Sequence, residues 1–222
     1  MQSWVAARKA FGGAAAGQEA ALTASSASQL QAEYQSVIDR YHIDAINQAS
    51  LGLRDKAIVG LQEANPDLKV SFTLPVLPTG LDAAGLNVLK TAKQDGVRID
   101  VVNIMTMDYG TSVDNGGQMG LNAINAVKAT EQQLTTLGLA AKIGATPMIG
   151  INDVASEVFT QADAKAVVDY AKTDSQVALL SMWSVARDNG NSAGAHYASS
   201  DSSGIAQNPF EFSGIFQSFD HK

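Results

Sequence analysis

Three segments of this 222-residue chain end an apolar run on residues that can do chemistry. Val101-Val-Asn-Ile-Met-Thr-Met107 stops at Asp108 and Tyr109, Ala145-Thr-Pro-Met-Ile-Gly-Ile151 stops at Asn152 and Asp153, and Val177-Ala-Leu-Leu-Ser-Met182 stops at Trp183. A continuous apolar run marks a strand covered on both faces, as in a parallel sheet, and its polar tip then faces solvent or ligand. Three successive strands of this kind deliver a carboxylate, a phenol and an indole to one rim. Those groups together suit a sugar-binding cleft.

The elements that must position them alternate in type. Lys69–Pro75 reads as a buried strand, Leu81–Lys93 as a helix ended near Gly96, and Ile99–Met107 as a strand. Residues 116–138 hold a long helix with Leu121, Ile124, Val127, Ala129 and Leu134 as its apolar positions. Ile143–Ile149 is a strand. Thr160–Lys172 is a helix with Thr160 as cap and Asp163 at the third position of a capping box. Val177–Ser184 is the last strand, and a Gly/Ser-rich loop from Arg187 to Ser203 leads to a terminal helix near Phe210–Phe219. Upstream, Leu30, Tyr34, Val37, Ile38 and Tyr41 share a helical face, and His42-Ile-Asp44 reads as a strand fragment. Ala45–Ala64 is expected to be helical up to the Asn65-Pro66 stop. Strand–helix alternation implies an α/β fold with a parallel sheet and right-handed crossovers, and both a barrel and a doubly wound sheet fit it.

The bulk properties narrow the function. A net charge of −7 disfavours nucleic acid and anionic membranes as partners. The absence of cysteine removes disulfides and thiolate metal sites, and His42, His196 and His221 show no ligand spacing, so no metal is expected. No Gly-x-Gly-x-x-Gly or P-loop follows a strand, which leaves nucleotide binding without support. No apolar run reaches the ~18 residues of a membrane span, and the first residues lack the pattern of a signal peptide.

At its strand ends the chain resembles the bacterial family-18 glycoside hydrolases, the chitinases. The matching pieces are Phe72-Thr-Leu-Pro-Val-Leu-Pro78, Met105-Thr-Met-Asp-Tyr109, Thr146-Pro-Met-Ile-Gly150 with Asn152-Asp153, and Leu180-Ser-Met-Trp-Ser184 with Arg187-Asp188. Phe11-Gly-Gly13 is similar to the turn after the family's third strand, and the likeness runs from about Phe11 to Phe219. The resemblance implies an eight-stranded β/α (TIM) barrel, secretion, no cofactor, and chitin or N-acetylglucosamine oligosaccharides as the partner. It implies retaining, substrate-assisted chemistry, in which the sugar's N-acetyl oxygen attacks the anomeric carbon. The protein then supplies a general acid and groups that orient the acetamide. Substrate contacts are implied for Met105, Met107, Asp108, Tyr109, Asn152, Asp153, Trp183 and Arg187. In the family the acid–phenol pair orients the acetamide and the last-strand Trp floors a subsite. The commoner family order puts Tyr before Asp, whereas here Asp108 precedes Tyr109.

The family's signature Asp-x-x-Asp-x-Asp-x-Glu, whose Glu is the acid, does not occur in this chain. Asp44 is either a remnant of its start or an N-cap of the Ala45 helix, and an alternative alignment puts Gln48 at the acid's position. No Glu lies between Glu33 and Glu63, so the acid does not carry over and hydrolysis is expected to be lost or very weak. The family's first two strands have no counterpart, and Val5–Ala10 is a poor third strand. The expectation is therefore one domain over residues 1–222, a shortened barrel of about six β/α units, with self-association covering its open sheet edges. Alternative readings are a non-catalytic chitin-oligosaccharide binder and a structural or engineered scaffold without ligand. Trp183 is either core or a sugar platform, and Arg187-Asp188 either a surface ion pair or part of the cleft lining.

Overall fold

The computed structural model of the chain describes residue 32 and residues 45–47, 52–113 and 117–220. The readings on Val5–Ala10, on Phe11–Gly13, on the helical face from Leu30 to Tyr41, and on Asp44 and Gln48 fall outside those residues. The chain divides into two compact units, one from residues 1–73 with 86–100 and one from residues 74–85 with 101–222.

In the first unit β1 (Ala45–Asn47) runs parallel to β2 (Lys69–Pro75), with Ala45 opposite Lys69 and Asn47 opposite Ser71. This corrects the expected helix from Ala45. The helix, α1, spans Gly52–Ala64, and Ala45–Asn47 pair with β2 although alanine favours helix; pairing with a neighbouring strand overrides propensity. α1 buries Ala57, Ile58 and Leu61 and ends where the Asn65 amide turns back to the Leu61 carbonyl at 2.9 Å, just ahead of Pro66. β2 alternates burial residue by residue, as its sequence requires. Asp100 accepts the Val70 N–H at 2.9 Å and pairs with Lys69 at 3.2 Å. α2 (Ala83–Gln94) starts under Asp82, whose carboxylate accepts the Gly85 N–H at 2.7 Å.

In the second unit three parallel strands lie side by side: β3 (Val101–Met105), β4 (Lys142–Thr146) in the middle, and β7 (Val177–Leu180). A short antiparallel pair, β5 (Gly150–Ile151) and β6 (Val158–Phe159), is inserted after β4. α3 (Met119–Leu137) and α4 (Gln161–Thr173) connect the parallel strands, and α5 (Glu211–Gln217) packs on α4. Val102, Ile104, Ile143 and Ala145 are buried. The alternate positions carry polar groups on the opposite face: Thr146 donates to Asn103 at 2.9 Å and meets the Ser181 hydroxyl.

The capping box of α4 is present as read, with Thr160 accepting from the Asp163 N–H and Asp163 accepting from the Thr160 N–H. The buried face of α3 differs from the expected one. Met119, Ala123, Ala126, Val127, Thr130 and Leu134 are inside, while Leu121 is 47% exposed. The reason is close approach: a Cβ on Gly120 would stand 2.8 Å from the Asp163 carboxylate and 2.9 Å from its Cα, so small residues face α4.

Candidate active-site rim

The parallel strands stop two to four residues before the expected tips, and the stops of β4 and β3 have local causes. Pro147 has no N–H to give, so the regular ladder of β4 ends at Thr146. Pairing nevertheless resumes beyond it: the Trp183 N–H reaches the Pro147 carbonyl at 2.8 Å and the Ile149 N–H reaches the Trp183 carbonyl at 2.9 Å. Met148 and Trp183 therefore sit opposite each other in parallel register. Trp183, followed by a cis peptide to Ser184, remains 42% exposed, which sets it on the surface rather than in the core.

β3 ends because Asp108 turns left-handed, with φ +49°, as does Gly110 at +93°. Asp108 is exposed, and Met105 and Met107 are half-buried. Tyr109 is buried, and its hydroxyl has no well-formed hydrogen bond among the described residues. Burial pushes the phenol above its ordinary range, the Glu157 carboxylate pushes it further, and the Thr106 hydroxyl opposes them.

Asn152 and Asp153 do not end a parallel strand, as the sequence suggested. They open the turn of the β5–β6 hairpin, in which the Asn152 N–H donates to the Glu157 carbonyl at 2.9 Å. Asp153 is exposed, but Asn152 is fully buried. Its amide donates to the Met148 and Gly150 carbonyls at 2.9 and 3.0 Å, and its oxygen accepts the Asp108 N–H at 3.4 Å. Val154 returns an N–H to the Asp108 carboxylate at 3.2 Å. Asn152 thus supports the rim from beneath.

Arg187 and Asp188 fit neither sequence reading, surface pair or cleft lining, for both are 1% exposed. Arg187 donates to the carbonyls of Ile149, at 2.9 Å, Ile151 and Ser199. Burial lowers its pKa, and the nearby Asp153 and Asp108 carboxylates work against that. Asp188 turns away to the start of α5, where it accepts the N–H groups of Phe212 and Ser213 at 3.1 and 2.8 Å and the Ser213 hydroxyl at 2.6 Å.

One residue of the rim escaped the sequence reading. Glu157, 2% exposed, accepts the Tyr109 N–H at 3.0 Å and the Gly110 N–H at 2.8 Å, one on each carboxylate oxygen. Its only sequence signal is an acid standing immediately before the apolar pair Val158-Phe159. Among the described residues no cluster of three or more His, Asp or Glu is arranged to hold a metal.

The catalytic domain of the hyperthermophilic chitinase from Pyrococcus furiosus superposes on the chain with a TM-score of 0.80, 32% identity, and coverage of 90% of this chain and 68% of that one. The chain belongs to the family-18 chitinase catalytic domains. Its parallel strands and interspersed helices match part of the (β/α)8 barrel of those domains. Catalytic-site mutants of active domain 2 of the P. furiosus chitinase complexed with chito-oligosaccharides match with a TM-score of 0.80 and 33% identity, over 90% of this chain and 67% of that one. In sequence, the chain is 34% identical to Endochitinase 11 of Metarhizium anisopliae over 186 aligned positions, covering 72% of this chain. It is equally similar, over the same share of its length, to a probable bifunctional chitinase/lysozyme of Escherichia coli K12. The matched region spans 35% of the first of these relatives and 21% of the second. No protein-family model matches the chain.

Proposed function

We propose that this chitinase-family chain binds oligosaccharides of β-1,4-linked N-acetylglucosamine at the rim formed by Trp183, Asp108 and the β5–β6 hairpin, and that it hydrolyses them very weakly or not at all. The observation that carries the binding reading is the exposed Trp183 indole, held in register with Met148 where the strands end. An aromatic face left in solvent is suited to stack under a sugar ring, and the exposed Asp108 carboxylate can accept a hydrogen bond from a hydroxyl or amide. The substrate class is supported by the likeness to the P. furiosus domain that was solved with chito-oligosaccharides.

The chemistry proposed for the family, retention with help from the substrate's own acetamide, still needs a proton for the departing oxygen. The signature that carries the acid is absent from the 222 residues. Glu157 does not replace it, because it is buried and both of its oxygens are taken up by backbone N–H groups. Asp108 has one oxygen engaged with the Val154 N–H. Loss of general acid catalysis lowers the rate by ~10²–10⁴-fold.

Titrating N-acetylglucosamine oligomers into the purified protein should give a saturable change in tryptophan fluorescence. Trp183→Ala should abolish it, although Trp4 still fluoresces. No change in the intact protein would overturn the binding reading, and release of soluble product at an ordinary chitinase rate would overturn the loss of hydrolysis.

A further inference from the structure

We propose that Glu157 is the positioning residue of this rim, setting from the β5–β6 hairpin the turn that presents Asp108 and seats the buried Tyr109. The inference rests on the oligosaccharide-binding reading above, which it deepens. Two left-handed residues, Asp108 and Gly110, flank Tyr109. That alternation turns successive backbone N–H groups to the same side and makes a concave pair of donors, a nest that fits one anion. Glu157 is the anion. Its two oxygens take the Tyr109 and Gly110 N–H groups at 3.0 and 2.8 Å.

The crossing is reciprocal. The Asp108 N–H goes to the Asn152 side chain at 3.4 Å and the Val154 N–H comes back to the Asp108 carboxylate at 3.2 Å. Four bonds therefore join residues 108–110 to residues 152–157, and two of them end on Glu157. The hairpin supplies a firm base, because the Glu157 N–H and carbonyl are themselves bonded to Val154 and Asn152. Nothing in this arrangement uses Glu157 as an acid or exposes it to a ligand. It acts through the two residues it holds.

An amide cannot substitute. Glutamine offers one accepting oxygen and an NH₂ that would face a second N–H donor. A residue that only glues the fold would change stability and leave the affinity of folded molecules alone, whereas a positioning residue changes affinity through Asp108 and Tyr109. A double-mutant cycle separates these.

The affinity of an N-acetylglucosamine tetramer is measured for the intact chain, Glu157→Gln, Asp108→Asn and the double variant. Glu157→Gln is expected to weaken binding by about tenfold or more in the intact background, and by much less once Asp108 is already replaced. Equal losses in both backgrounds, or unchanged affinity in folded Glu157→Gln, overturn the proposal. A second arm needs no ligand: the Tyr109 and Gly110 amide protons should exchange about tenfold faster or more in Glu157→Gln, while those of β4 and α3 keep their rates. Unchanged exchange at the turn also overturns it. If the intact chain binds no tetramer, the binding reading fails by itself, and the exchange arm decides whether Glu157 holds the turn. Should Glu157→Gln not fold, Glu157→Asp, with the charge on a shorter stem, goes through the same two measurements and is expected to lose affinity and turn protection in the same direction.

Discussion

Replacing Arg187 distinguishes a buried keystone from an ordinary surface charge, because the two roles differ several-fold in energy. The guanidinium is 1% exposed and donates to three backbone carbonyls, those of Ile149, Ile151 and Ser199. Arg187→Met keeps most of the apolar stem and removes the donors. Each buried carbonyl left without a partner costs about 1–3 kcal/mol. The three losses do not add fully, since the loop relaxes and water enters, so the expected destabilisation is ~3–5 kcal/mol. An exposed Arg187–Asp188 pair would contribute about 0–1 kcal/mol and fade with salt. Urea unfolding of Arg187→Met and the intact chain, each at low and at ~1 M salt, reads the difference directly. Arg187→Lys, with one compact donor group in place of a planar fork, should fall between the two at about 2 kcal/mol. A loss below ~1 kcal/mol, or one that disappears at high salt, would refute the reasoning. The same substitution should loosen the rim, for Ile149 and Ile151 flank Gly150, where the chain leaves β4 for the hairpin that carries Asn152, Asp153 and Glu157.

Two further substitutions probe the scaffold. The Asp55 side chain on α1 is buried without a hydrogen-bond partner among the described residues, and its pKa is pushed up to about 6, first by burial, then by Asp95, with Arg54 opposing. The folded state therefore holds this proton more tightly than the unfolded chain, whose Asp titrates near 3.8. Stability from this group is intact below about pH 4, falls as pH rises to about 6, and is flat beyond, for a total of ~1–3 kcal/mol. Asp55→Asn should remove that decline in melting curves taken from pH 4 to 7, and a variant that declines as steeply as the intact chain would disprove it. At Gly150, φ is +72° and an added Cβ would stand 2.0 Å from the Ser203 carbonyl oxygen. Gly150→Ala should cost ~3 kcal/mol or more in denaturant unfolding, and a midpoint close to that of the intact chain would show that the Ser203 loop yields freely.

What the sequence disclosed was local, and what it concealed was made by distant partners. The Thr160–Asp163 box was legible because its four groups lie within three residues. β2 was legible because one periodicity runs its full length. The strand tips were overextended because hydrophobicity continues past Pro147 and past Asp108, while backbone pairing depends on an N–H that Pro147 lacks and on a φ that Asp108 does not keep. Ala45–Asn47 looked helical because the strand it pairs with begins 24 residues later, at Lys69. The face of α3 was misassigned in part because large side chains were counted as core, whereas close packing against Asp163 selects Gly120 and leaves Leu121 outside. Arg187 and Glu157 could not be placed, since their partners are backbone groups 12–38 and 47–48 residues away.

The same wiring explains how a rim can persist without the family's acid. Asn152 holds Met148 and Gly150; Arg187 holds Ile149, Ile151 and Ser199; Glu157 holds Tyr109 and Gly110. Every one of these bonds lies within the unit of residues 74–85 and 101–222, and none runs through the stretch between His42 and Ser50 where the acid would be expected. Shape at the rim is thus held by buried groups that, in the proposed function, do not meet the sugar, whereas the family's proton transfer is expected to depend on a single carboxyl from another part of the chain. On the proposed function, losing that carboxyl removes a step of the reaction and none of the bonds named here, so oligosaccharide binding and glycosidic cleavage are expected to be separable.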